Sequence, residues 1–283
     1  MIKFNKKVAA CVAVMAAVSA VTAASLSSDI KKTTAYFTDT ESHVNNYSFG
    51  DITTDGTETN WNPEKTKNMV PLQIEAKNPR IENTGTNQAI GFIVLDSPIT
   101  RNVQLADNKT GALLPEADVE DILYLKADKS VGFNDTNWKL IDSYYINEKG
   151  VRLGDAMTPA GRTPEGTKKR RYVFGYDDSI KGGSVVMPTK TDTLFDYIQT
   201  QNFVEGTFES GKVYDVTVYF VTIQAENLQL SNNVVTTIAN TQNMSKAMLS
   251  EIYAIAASRV DFSTVPEANT SNKLDLYEKP ITH

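Results

Sequence analysis

Through most of the chain, short runs of β-branched and aromatic residues alternate with clusters of turn residues. VPLQIEA (70–76), QAIGFIVLD (88–96), DILYLK (121–126), WKLIDSYYIN (138–147), RRYVFGYDD (170–178) and VYDVTVYFVTIQA (213–225) all favour side chains that fit a pleated, half-buried surface. Between them lie ENTGTN, SPITRN, ADNKTG and EGTFESGK, whose Gly, Pro, Asn and Asp supply the backbone angles and local hydrogen bonds of turns. Short strands punctuated in this way predict an all-β sandwich. In the longest run, Val216, Val218, Phe220 and Thr222 share one face. Tyr214, Thr217, Tyr219 and Val221 take the other, with Asp215 breaking strict parity. Both faces are mostly apolar, which predicts a central strand covered on each side.

Three segments depart from this pattern. In NMSKAMLSEIYAIAASRV (243–260), Met244, Met248, Ile252 and Ile255 recur at helical spacing, and Ala247, Leu249 and Ala256 widen the stripe. One amphipathic helix is therefore expected near the C-terminus, with Asn243 as its N-cap and the sandwich as its packing partner. The stretch 150–169 has four Gly, two Pro and no periodicity, which predicts a long surface loop inserted in one β-domain over 36–265. Residues 266–283 are polar and turn-rich and read as a flexible tail.

The start of the chain differs in kind. Lys3, Lys6 and Lys7 precede VAACVAVMAAVSAVTAA (8–24), the basic and apolar regions of an export signal. Residues 1–35 thus read as a signal peptide, and the mature chain as secreted to the cell surface or extracellular matrix. Small residues offer cleavage after Ala24 or after Ala35, and composition alone favours the first. Cys11, the single cysteine, lies in the apolar run, so processing leaves no disulfide, thiolate metal site or cysteine nucleophile. Residues 1–35 hold five of the 28 basic and one of the 34 acidic side chains; the mature chain keeps 23 against 33, a net charge of −10. Nucleic acid and anionic membranes require a cationic footprint and make poor partners for it. No segment after the signal is apolar enough to span a bilayer. KKRR (168–171) leads straight into Tyr172-Val173-Phe174 and reads as a solvated strand entrance.

Catalytic patterns are scarce. His43 and His283 are the only imidazoles, and neither belongs to a helix with two His at i and i+4 beside a Glu base. A Ser-His-Asp triad would have to draw on the same two residues, and nucleophile elbows and phosphate loops are missing. Acid pairs occur at Asp177-Asp178, Glu116 with Asp118, and Glu120-Asp121, as on any acidic surface. No stretch alternates oxygen ligands like a dedicated calcium loop, although Ca²⁺ stabilises many acidic exported β-proteins. The residues point to a non-enzyme with no resident cofactor.

Several segments together resemble one family. The basic residues and Ala/Val run, then AYFTDTES from Ala35 and NNYSFGDI after it, are similar to the N-terminal region of the TasA/camelysin family of exported Gram-positive proteins. Trp61-Asn62-Pro63 resembles that family's W-x-P turn, NPRIENTGTNQAIGFIVLDSP (78–98) its K-x-P-x-I-x-N-x-G-T strand pair, and YVFGYDDSIKGGSVVMPTKTDTLFDYI with NFVEG its later Tyr/Gly and Leu-Phe-Asp pattern. One departure is SLSSDIKKTT (25–34), which separates the apolar run from the aromatic block. The resemblance implies a jelly-roll-like sandwich, a dedicated signal peptidase acting between Ala35 and Tyr36, and a biofilm-matrix protein that self-associates into filaments. On that reading Tyr36, Phe37, Asp39, Tyr47 and Phe49 form an assembly segment that adds as a strand to a neighbouring subunit, or else merely begins the first strand of its own sheet. The camelysin name also implies a surface metalloendopeptidase, which the two histidines support poorly. A third alternative, an adhesin or carbohydrate-binding module, requires Trp61 or Trp138 to be exposed as a sugar platform.

Overall fold

The computed structural model describes residues 38–40, 54–58, 60, 62, 65, 69–155, 164–181, 189–204, 213–230, 235–239, 241–260, 262 and 273–275, all within one compact unit, Thr38–His283. In chain order its strands are β1 (Thr38–Thr40), β2 (Thr54–Thr57), β3 (Ile74–Ala76), β4 (Arg80–Asn83), β5 (Ala89–Val103), β6 (Ala117–Asp121), β7 (Leu123–Ala127), β8 (Ser130–Val131) and β9 (Trp138–Ile146). They continue with β10 (Arg152–Asp155), β11 (Lys169–Tyr176), β12 (Tyr197–Thr200), β13 (Val213–Asp215), β14 (Thr217–Gln224), β15 (Leu228–Gln229), β16 (Val235–Thr236) and β17 (Lys273–Asp275). The larger sheet has the order β1-β14-β5-β11-β9-β10, antiparallel throughout, with β6 paired to the far end of β5. The smaller sheet is β3-β12-β7-β8.

Strand parity places the core. Ile93 and Leu95 of β5, Tyr172 and Phe174 of β11, and Val218 and Phe220 of β14 face inward, where they meet Leu123 and Ile198 of the smaller sheet. The opposite face of the larger sheet carries the helix, α1 (Lys246–Ala257), which buries Leu249, Ile252 and Ala256. Gly175 makes that contact possible: a β-carbon there would stand 3.3 Å from the Leu249 methyls and 3.2 Å from the Phe92 ring. The described residues thus form an all-β sandwich with one helix on its outer face, as the pattern predicts.

The differences from the sequence reading have local causes. The N-cap is Ser245, whose Oγ accepts the Met248 N–H at 3.2 Å; Asn243 precedes it at φ 55° and donates its N–H to Asp178 Oδ1. SPITRN is not a turn but the continuation of β5. Pro98 sits where β5 passes from β11 to β6, so its missing N–H costs little of the ladder. DILYLK is not one strand: Asp121 ends β6 in one sheet, Leu123 begins β7 in the other, and buried Ile122 turns the corner. Within the expected loop 150–169, β10 pairs with β9 as the outer strand of the larger sheet, and within the expected tail β17 pairs with β13. Both are short and polar, so neither has a propensity signal of its own.

Candidate functional site

β14 has the composition of a central strand but lies next to an edge. All of its residues except Gln224 are buried, and it pairs with β5 along its full length. Its outer edge is covered by β1 over three residues only, Thr38 opposite Ile223, Asp39 opposite Thr222 and Thr40 opposite Val221. Upstream, β13 is paired with β17, Tyr214 opposite Leu274. No described strand pairs with the outer edge at 217–220. From inside the sandwich, the Thr54 hydroxyl meets that of Thr222 at 3.1 Å, and Gly56 lies so close to the Phe220 ring that a β-carbon would stand 2.0 Å from it. The antiparallel pair of β2 and β4 therefore holds β14 in place while its edge stays thinly covered. Of the expected assembly residues only Asp39 is described, through its backbone pairing. Ala35, Tyr36, Phe37, Tyr47 and Phe49 lie outside the described residues, as do His43, His283 and Trp61.

The basic cluster is solvated only at its start, where Lys168 is exposed and Lys169 half-buried. β11 places Arg170 and Arg171 on opposite faces, and both are consumed internally. Arg171 is buried and grips Asp96 directly across the β5–β11 ladder, Nε to Oδ1 at 2.6 Å and Nη2 to Oδ2 at 2.7 Å. Its guanidinium lies 4.7 Å from the Phe262 ring centroid and 5.5 Å from that of Tyr219. Burial opposes the charge of Arg171, but the Asp96 hydrogen bonds and charge more than offset it and hold the pKa above its ordinary value. Burial, reinforced by Asp96, pushes the Tyr219 phenol up to about 12. On the other face Arg170 bonds Asp121 at 2.7 Å and the hydroxyls of Tyr145 and Tyr172 at 2.9 and 3.2 Å, while Tyr172 also donates to Asp121. A third cation, Lys77, is fully buried with its Nζ 2.7 and 2.8 Å from the two oxygens of Glu58; desolvation lowers its pKa. The signal for the Arg171–Asp96 pair was one charge of each sign inside two apolar runs; for Lys77 there was none.

The acid pairs serve structure where they are described. Asp177 is buried beside Lys139 at 3.1 Å, Asp178 accepts from Asn243, and Glu116 is exposed; the side chains of Asp118 and Glu120 lie outside the described residues. Among the described residues no group of three or more His, Cys, Asp or Glu is placed to hold a metal ion. Trp138 is fully buried and donates its indole N–H to the Asp192 carbonyl at 3.2 Å, so it offers no platform for a sugar. No described helix is long and apolar enough to cross a membrane. Fold and geometry define an all-β sandwich with a thinly covered sheet edge. No protein-family model, curated protein or solved structure matches the chain.

Proposed function

We propose that the chain is an exported structural protein of the cell surface or biofilm matrix, akin to the TasA/camelysin family, that polymerises into fibres through its N-terminal strand. The supporting observation is the pairing of Thr38–Thr40 with the outer edge of β14. β1, with three residues, is the shortest described strand of the larger sheet, and the strand it covers is buried on both faces. In one chain β1 completes its own sheet. The same antiparallel pairing made by a neighbour's segment gives a head-to-tail contact that does not close, and hence a filament. A signal peptidase cutting between Ala35 and Tyr36 frees that segment.

The test is negative-stain electron microscopy of the chain beginning at Tyr36 beside one beginning at Asp51. Filaments from the longer chain alone are expected; folded monomers from both would remove the main support for a fibre subunit. The metalloendopeptidase alternative separates from it by His43→Ala combined with His283→Ala, which would abolish a histidine-dependent zinc activity and leave assembly intact. For a carbohydrate-binding module, Trp61 is the one tryptophan still eligible, because Trp138 is buried.

A further inference from the structure

The run 213–224 carries two short covers. β1 pairs antiparallel with residues 221–223 and β17 pairs antiparallel with residues 213–215, each over three residues. The opposite edge of the larger sheet is protected differently: β10 is four residues long and its ladder shifts register between Arg152 and Gly154, a bulge that discourages strand addition. β13 forms a two-stranded sheet of its own with β17 but lies beside β5, one residue upstream of β14, so the outer side of 213–224 is the place where an added strand could grow, and the register of β1 says how. Thr38 pairs with Ile223 and Thr40 with Val221. A donor segment continued in the same register passes 217–220 and sets Asn46, Tyr47 and Ser48 opposite Asp215, Tyr214 and Val213. Those three positions are the ones β17 occupies, with Lys273 opposite Asp215, Leu274 opposite Tyr214 and Asp275 opposite Val213.

We infer that Lys273–Asp275 is an autoinhibitory cap, which competes with residues 46–48 of an incoming donor for residues 213–215 and limits the donor to a three-residue foothold until it is displaced. The inference rests on the fibre reading above and adds to it a control element at the other end of the chain. It accounts for a β-strand in a segment whose sequence has no strand pattern: what the segment supplies is backbone hydrogen-bonding groups, and a weak cover is one that a longer donor can replace.

The test uses the chain from Tyr36 onward, which retains the whole unit Thr38–His283. In Lys273→Pro/Leu274→Pro, adjacent N–H groups point to opposite sides of a strand, so one of the two prolines removes a ladder donor whichever phase the pairing has. Amide exchange at 213–215, measured in the monomer, should rise about tenfold as the ladder opens, and the lag before filaments should shorten several-fold. Lys273→Thr/Leu274→Val keeps both donors and should behave as the parent. Unchanged protection at 213–215 in the proline variant overturns the cap, and so does lost protection without faster assembly. If neither parent nor variants form filaments, the fibre reading fails and takes this inference with it.

Discussion

At the scale of single residues, the Arg171–Asp96 pair carries the largest stake. Removing one partner of a buried pair strands the other charge in the interior, whereas replacing both with apolar groups does not. Asp96→Ala should therefore cost about 3–5 kcal/mol in urea unfolding, and Asp96→Leu with Arg171→Met should recover most of it. An Asp96→Ala cost below about 1 kcal/mol would mean that the guanidinium finds water. The phenols define a second test. Tyr219 and Tyr176 are both pushed up to about 12, in each case first by burial, with Asp96 and Asp192 the next contributors. Against an unfolded value of about 10, the folded state holds these protons longer. Their contribution is complete below about pH 10 and is lost as pH climbs through about 12. Lys77, lowered by burial, works in the opposite sense below its ordinary value. Melting temperature should thus fall between about pH 10 and 12, and Tyr219→Phe should flatten part of that fall; an unchanged slope would show that the ring is not desolvated.

At the scale of elements, the helix shows how local chemistry and packing divide the work. Its periodicity is legible in Leu249, Ile252 and Ala256, whereas the choice of cap is not, because Asn243 and Ser245 are both good caps. The tie is broken by Asp178, which takes the Asn243 N–H and draws that residue to φ 55° outside the helix. Ser245→Ala should cost about 1 kcal/mol, while Asn243→Gly, which suits a positive φ, should cost only tenths; thermal unfolding of the two variants checks this. The reverse order would restore Asn243 as the cap. β14 was equally legible, since both of its faces are apolar and both prove buried. β10 and β17 were not, because a short polar strand exists by virtue of its partner.

At the scale of the whole molecule, the charge of residues 36–283 opposes the association proposed for them. With 33 acidic side chains against 23 basic ones, copies repel each other at low ionic strength, and salt screens that repulsion. Filament growth from the chain beginning at Tyr36 should accelerate as salt is raised from about 10 mM, where the Debye length is about 30 Å, to about 150 mM, where it is about 8 Å. Light scattering follows the rate; growth that slows with salt would point to contacts made by charge rather than by backbone pairing. The internal pairs Arg170–Asp121, Arg171–Asp96 and Lys77–Glu58 each withdraw one cation and one anion, so they leave the net charge as it is.

The all-β class, the two-faced character of β14 and the position of the single described helix are all written in the spacing of neighbouring side chains. Which strands share a sheet is not, because that depends on contacts between distant parts of the chain. Arg171 meets Asp96 across 75 residues of chain, SPITRN stays extended because β11 and β6 receive it in turn, and DILYLK divides because the two sheets meet at Ile122. Above all, the edge left thinly covered emerges only from the folded chain, since an edge is defined by the strand that does not arrive there, and no local pattern of residues records that absence.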